Sequence, residues 1–124
     1  MSTIKMHHTV WMVLALFTTS LAAEHPSLLI TAQEARQMQQ ALGRYPLFDK
    51  TFRQIKAEMD SVLQQPIDVP PPGEAGGYEH ERHKQNYREM QKAGVLFAIT
   101  GDKKYAEFVK NMLLRYAKMY PTLG

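Results

Sequence analysis

The chain has no cysteine, which excludes disulfides and thiolate metal sites while leaving its compartment open. No stretch alternates apolar and polar residues in the two-residue period of a half-buried strand. No apolar run reaches the ~18–20 residues that span a bilayer; residues 10–17 (V-W-M-V-L-A-L-F) fall well short. Nor is there a strong charge of one sign. The formal balance is +3 at pH 7, too mild to imply a nucleic-acid partner. With 124 residues, what remains is one small all-α domain or a piece of a larger one.

The apolar run at 10–17 has the length of a leader core. Lys5, with His7 and His8, precedes it, and Ser20-Leu21-Ala22 and Leu21-Ala22-Ala23 place small residues where a signal peptidase cuts. Residues 1–23 are therefore expected to be a signal peptide, giving an exported, periplasmic or secreted product with no membrane attachment after cleavage. No cysteine stands at the cleavage point, so a lipoprotein anchor is excluded.

His25-Pro26 then reads as an extended start, with Leu28, Leu29 and Ile30 available as an arm. Thr31-Ala32-Gln33-Glu34 is a capping box opening a helix with a thin apolar face (Ala35, Met38, Leu42) that ends near Gly43, so this helix should be peripheral. Phe48, Phe52, Ile55, Met59, Val62 and Leu63 mark a second helix from about Leu47 to Gln65. The segment 66–77 carries Pro66, Pro70, Pro71, Pro72, Gly73, Gly76 and Gly77 and must be a loop. Long connections without secondary structure inside compact domains are commonly functional or disordered. This one runs directly into a charged block, which favours function.

The C-terminal third predicts a helical hairpin. Met90, Val95, Leu96, Phe97 and Ile99 lie in a run that becomes apolar nearly all round, so its last turns should be buried. Gly101 suits the left-handed position closing that helix, and Asp102 suits the N-cap of the next. Tyr105, Phe108, Val109, Met112, Leu113, Tyr116 and Met119 then recur at helical spacing until Pro121. So short a link makes the two helices antiparallel neighbours.

Between loop and hairpin stands the block G-G-Y-E-H-E-R-H-K-Q-N-Y. His80 and His83 form H-x-x-H, not the H-E-x-x-H that aims two imidazoles at zinc, and no third ligand is in register, so no metal is expected. Tyr78, His80, Arg82, His83, Lys84 and Asn86 together are the candidate substrate-binding residues. Aromatic rings serve sugar faces, and Arg, Lys or His serve a uronate carboxylate. Neutralising that carboxylate also eases removal of the adjacent C5 proton, the opening step of β-elimination. The same residue types equally suit a salt-bridged helix start.

This block, followed by A-G-V-L-F-A-I-T-G-D-K-K-Y-A-E-F-V-K-N-M-L-L-R-Y-A-K-M-Y-P, resembles the N-terminal region of bacterial exo-acting oligoalginate lyases. L-L-I-T, Y-P-L-F-D-K-T-F and Q-P-I-D-V-P-P-P fit the same region, so the resemblance runs from His25 to Gly124. It implies an alginate-lyase-type helical domain followed by a heparinase II/III-like β domain, in an exported lyase that cleaves alginate or its oligosaccharides by β-elimination. The fold expected here is all-α, with helical hairpins forming part of an incomplete (α/α) toroid. Residues 24–124 would be the truncated N-terminal part of the helical domain. The family's catalytic Tyr, and the Asn, His and Arg that neutralise the uronate, are expected beyond Gly124, so no catalytic role transfers to any position. The family's zinc belongs to the β domain, and no cofactor is expected here. On this reading the partners are an acidic polysaccharide and the remainder of the chain itself. Phe97, Phe108, Met112 and Leu113 would lack partners on one side, leaving the piece inert and prone to association. A stand-alone exported helical binding module is the alternative.

Overall fold

The computed structural model describes residues 29–73 and 75–122, and these are helical with no strand. The expected leader at 1–23, the extended start at His25 and Pro26, and Leu28 of the arm lie outside the described residues.

Helix α1 (Ala32–Ala41) begins at the expected capping box. The Thr31 hydroxyl accepts from the Glu34 N–H at 3.1 Å, and the Glu34 carboxylate accepts from the Thr31 N–H at 2.7 Å. That backbone hydrogen bond holds the Glu34 carboxyl below its ordinary value. Only Ala35 is buried on α1, in keeping with a peripheral element. Helix α2 (Pro46–Val62) carries proline in its first turn, where the missing N–H has no intrahelical acceptor to lose. It stops at Val62 rather than at Gln65. The Gln64 and Gln65 N–H groups reach back only three residues, to Ser61 and Val62, so the chain tightens there ahead of Pro66.

Helix α3 (Tyr78–Thr100) starts at Tyr78, so the block is helical from there on, with Gly77 as its N-cap. It closes on Gly101 at φ 69°, and Asp102 caps helix α4 (Lys103–Met119) by accepting from the Lys104 N–H at 3.1 Å. A short 3-10 turn, Tyr120–Thr122, carries the chain through Pro121. His83 near the start of α3 meets Tyr116 near the end of α4, so the hairpin is antiparallel, as its two-residue link requires.

Helix α3 is the hub, with α1, α2 and α4 all packed against it. Met59 of α2, Ala93 and Leu96 of α3, and Tyr105, Phe108 and Met112 of α4 form the core. Two expectations need correction. The last turns of α3 bury Ala93, Leu96 and Ile99, but Phe97 is 41% exposed, because no described element covers that side of the helix. Phe108 and Met112 do not lack partners, since α2 and α3 enclose them; Leu113, at 53% exposed, does face outward. The loop at 66–77 is tied down by alternation, with Ile67 and Val69 packed on the core while Asp68 between them turns to α3.

Candidate functional site

The loop and the start of α3 build one polar network. Tyr78, Arg82, Asn86 and Glu89 recur at spacings of four, four and three residues, which aligns them along one face of the helix. Asp68 is set against that face. Its carboxylate accepts from the Tyr78 hydroxyl at 2.7 Å and lies 3.7 Å from Arg82 Nε. Its backbone carbonyl accepts from Asn86 Nδ2 at 2.7 Å. Hydrogen bonding to Asp68, with the charge of that carboxylate, raises the Tyr78 phenol above its ordinary value. Deeper in, the buried Glu89 accepts from Gln85 Nε2 at 3.1 Å and from Arg82 Nη1 at 3.5 Å through the same oxygen, Oε1.

His83 follows Arg82 by one residue, which turns its ring about 100° around the helix toward α4. There its Nδ1 lies 2.8 Å from the Tyr116 hydroxyl, with ring centroids 5.6 Å apart. Asn86 Nδ2 reaches the same hydroxyl at 3.1 Å. Lys84 points elsewhere and donates to Glu81 at 2.9 Å, a bond that lowers the Glu81 carboxyl. His80 is half-buried and makes no hydrogen bond among the described residues. The structure thus brings Tyr78, Arg82, His83 and Asn86 into one network and leaves His80 and Lys84 outside it.

Three members of that network are not legible as site residues in the sequence. Glu89 looks like one of many helix-surface charges, although its place three after Asn86 and seven after Arg82 is the signal for a shared face. Asp68 is hidden in a proline-rich loop, and Tyr116 in an apolar stripe. Three buried polar atoms in the network have no hydrogen-bond partner among the described residues: Arg82 Nε, which has only the longer ion pair to Asp68, Asn86 Oδ1 and Glu89 Oε2. Such atoms mark places where an ordered water or a ligand group completes the bonding.

A second cluster fastens α2 to the start of α4. The Asp60 carboxylate accepts from Lys56 at 2.6 Å, Lys104 at 2.9 Å and the hydroxyl of the wholly buried Tyr105 at 2.8 Å. Hydrogen bonds from Lys56, then Lys104 and Tyr105, hold the Asp60 carboxyl far below the usual carboxylate range and push Lys104 up in return. Burial first, and Asp60 second, raise the Tyr105 phenol. Separately, a groove of about 380 Å³ lies between α1, α2 and α3, lined by Met38, Phe48, Phe52, Ile55, Val95 and Ile99 among others. Its walls are almost entirely apolar, with Lys92 the one charged side chain among the residues that line it.

Among the described residues no group of three or more His, Cys, Asp or Glu side chains is placed to hold a metal ion. No helix among them is long and apolar enough to cross a membrane. No protein-family model matches the chain. It is 41% identical over 101 residues to an exo-oligoalginate lyase of Saccharophagus degradans, a match spanning 81% of this chain and 14% of that protein. It is also 41% identical over 103 residues to an alginate lyase of Stenotrophomonas maltophilia, spanning 82% of this chain and again 14% of the relative. The resemblance first carried by the G-G-Y-E-H-E-R-H-K-Q-N-Y block is thereby borne out: over about 80% of its length this chain is related to a segment of alginate and oligoalginate lyases.

Proposed function

We propose that this chain serves as the N-terminal helical part of an exported lyase that cleaves alginate or oligoalginate by β-elimination, and that it is inactive by itself. The observation that carries the reading is the 41% identity to two lyases over most of this chain but only 14% of theirs. The α3–α4 hairpin supports the further proposal of an (α/α) toroid. A ring of hairpins repeats such a unit, and each unit needs apolar side chains turned to its neighbour, as Phe97, Leu113 and Leu114 are turned outward here. Export rests on the leader-like residues 1–23.

Within that reading, the rim at the start of α3 faces the acidic sugar. Tyr78 offers an exposed ring, and His80, Arg82, His83 and Lys84 offer donors for a uronate carboxylate. Asn86 has no exposed surface, so its part is to hold the loop and the rim in register. The alternative, a stand-alone helical binding module, is favoured by one feature: the core from Met59 to Met112 closes within the described helices.

The two readings separate in a chimera. Residues 29–122 of this chain replace the matching segment of the Saccharophagus lyase, and the unsaturated uronate produced from oligoalginate is followed by its ultraviolet absorbance. The proposal expects activity within about tenfold of the parent, a loss of no more than ~1.4 kcal/mol in barrier terms, and none from the isolated chain. A chimera that is helical, soluble and inactive would sink it, as would turnover by the isolated chain.

A further inference from the structure

The hydrogen bonds around Asn86 bear on which nitrogen of His83 carries its proton. A backbone carbonyl can only accept, so the Asn86 amide atom 2.7 Å from the Asp68 carbonyl must be the nitrogen. Turning the amide over would set its oxygen against another oxygen. With the orientation fixed, the second hydrogen of the same NH₂ goes to the Tyr116 oxygen at 3.1 Å. Tyr116 therefore spends a lone pair on Asn86, and its own hydrogen needs an acceptor. The remaining partner is His83 Nδ1 at 2.8 Å. Rotating the imidazole by half a turn would put a carbon at that distance, so a nitrogen faces the hydroxyl.

We infer that Tyr116 is a positioning residue: relayed from Asp68 and Asn86, its hydroxyl holds the neutral His83 ring as the Nε2–H tautomer, making that N–H a fixed donor for an anionic oxygen. The opposite tautomer would bring two donors to one phenolic oxygen and leave the Tyr116 hydrogen with no protein acceptor among the described residues. The other ring nitrogen has no protein acceptor among the described residues, which leaves its proton available. The ligand class, a carboxylate of an acidic sugar, rests on the uronate reading of this rim; the tautomer does not. A group pre-set in this way needs no reorganisation when an acceptor arrives, which is what makes a fixed dipole more effective than a mobile one. The relay spans the Pro-rich loop, α3 and α4, so the donor is set by three segments far apart in sequence.

The test is a nitrogen-15 correlation spectrum of the histidine rings at alkaline pH, on the whole chain, free and with oligomannuronate. The His83 resonances are assigned from a His83→Gln variant. The expected result is an unprotonated Nδ1 and a protonated Nε2, with the Nε2–H resonance moving on addition of oligomannuronate. In Tyr116→Phe, with helicity unchanged by circular dichroism, both nitrogens shift toward a tautomer mixture and oligomannuronate affinity falls several-fold. A wild-type ring protonated on Nδ1, or a spectrum unmoved by Tyr116→Phe, overturns the assignment. A ring locked as inferred but silent to oligomannuronate upholds the lock and overturns the uronate reading instead.

Discussion

Asn86 has no exposed surface, yet it is polar, and each of its two N–H groups has a partner on a different segment. Removing it would leave the Asp68 carbonyl and the Tyr116 hydroxyl short of a donor in a half-buried setting. Asn86→Ala should therefore cost on the order of 2–3 kcal/mol, read as a lower urea midpoint. Asp60 gives a prediction in pH. Its carboxyl is depressed by Lys56, Lys104 and Tyr105, so it binds a proton less readily folded than unfolded. The stability it contributes is fully present above the unfolded value of about 3.9 and fades as pH falls toward the depressed folded value. Urea midpoints of wild type and Asp60→Asn should thus differ most at neutral pH and converge in acid. A gap that stays constant from neutral pH into strong acid would remove Asp60 from that account.

At the scale of elements, the α3–α4 hairpin depends on Gly101. The position at φ 69° is left-handed, and space around it is open, so an added Cβ meets no clash and only the backbone penalty remains. Gly101→Ala should cost about 1–2 kcal/mol, with no cavity or packing change to confuse the reading. Met59 tests the other joint. It is wholly buried where α2 meets α3 and α4, and Met59→Ala should cost about 2–5 kcal/mol in chemical denaturation. Several of these joints were legible beforehand. Thr31 with Glu34, Gly101 and Asp102 act through hydrogen bonds and dihedrals local to a few residues, and local rules find them. The apolar stripe runs past the end of α2, because Leu63 continues it while the backbone has already tightened. A stripe reports which residues are wanted inside, not where the hydrogen-bond ladder stops.

Among the described residues, the helices enclose one set of apolar side chains and leave another exposed. Met59, Leu96, Tyr105 and Met112 are enclosed, whereas Phe97, Leu113 and Leu114 remain 41%, 53% and 50% exposed on neighbouring helices. Exposed apolar side chains on that scale favour association when no partner covers them. The isolated chain should sediment as oligomers at high concentration. Phe97→Ser with Leu113→Lys should return it to a monomer of the same helicity. In the chimeric lyase the same pair of changes should reduce activity or yield if the neighbouring part of that enzyme packs against these side chains. A monomeric wild-type chain would favour the binding-module reading, and so would a chimera indifferent to both substitutions.

Helix periodicity, two caps, a left-handed glycine and a proline-rich break were enough to place the helices, because each is a property of residues a few positions apart. The charged block could also be picked out, and its likeness to the lyases recognised, from order alone. The sequence could not rank the members of that block. Whether His83 turns to α4 while Lys84 turns to solvent depends on where α4 lies, and the Tyr116 hydroxyl stands thirty-three residues away from the ring it holds. Nor could it show that Asp68 and Glu89 belong with them, or that Phe97 would stay uncovered while Phe108 would not. Those outcomes are set by which helix faces meet, and only the packed chain fixes that.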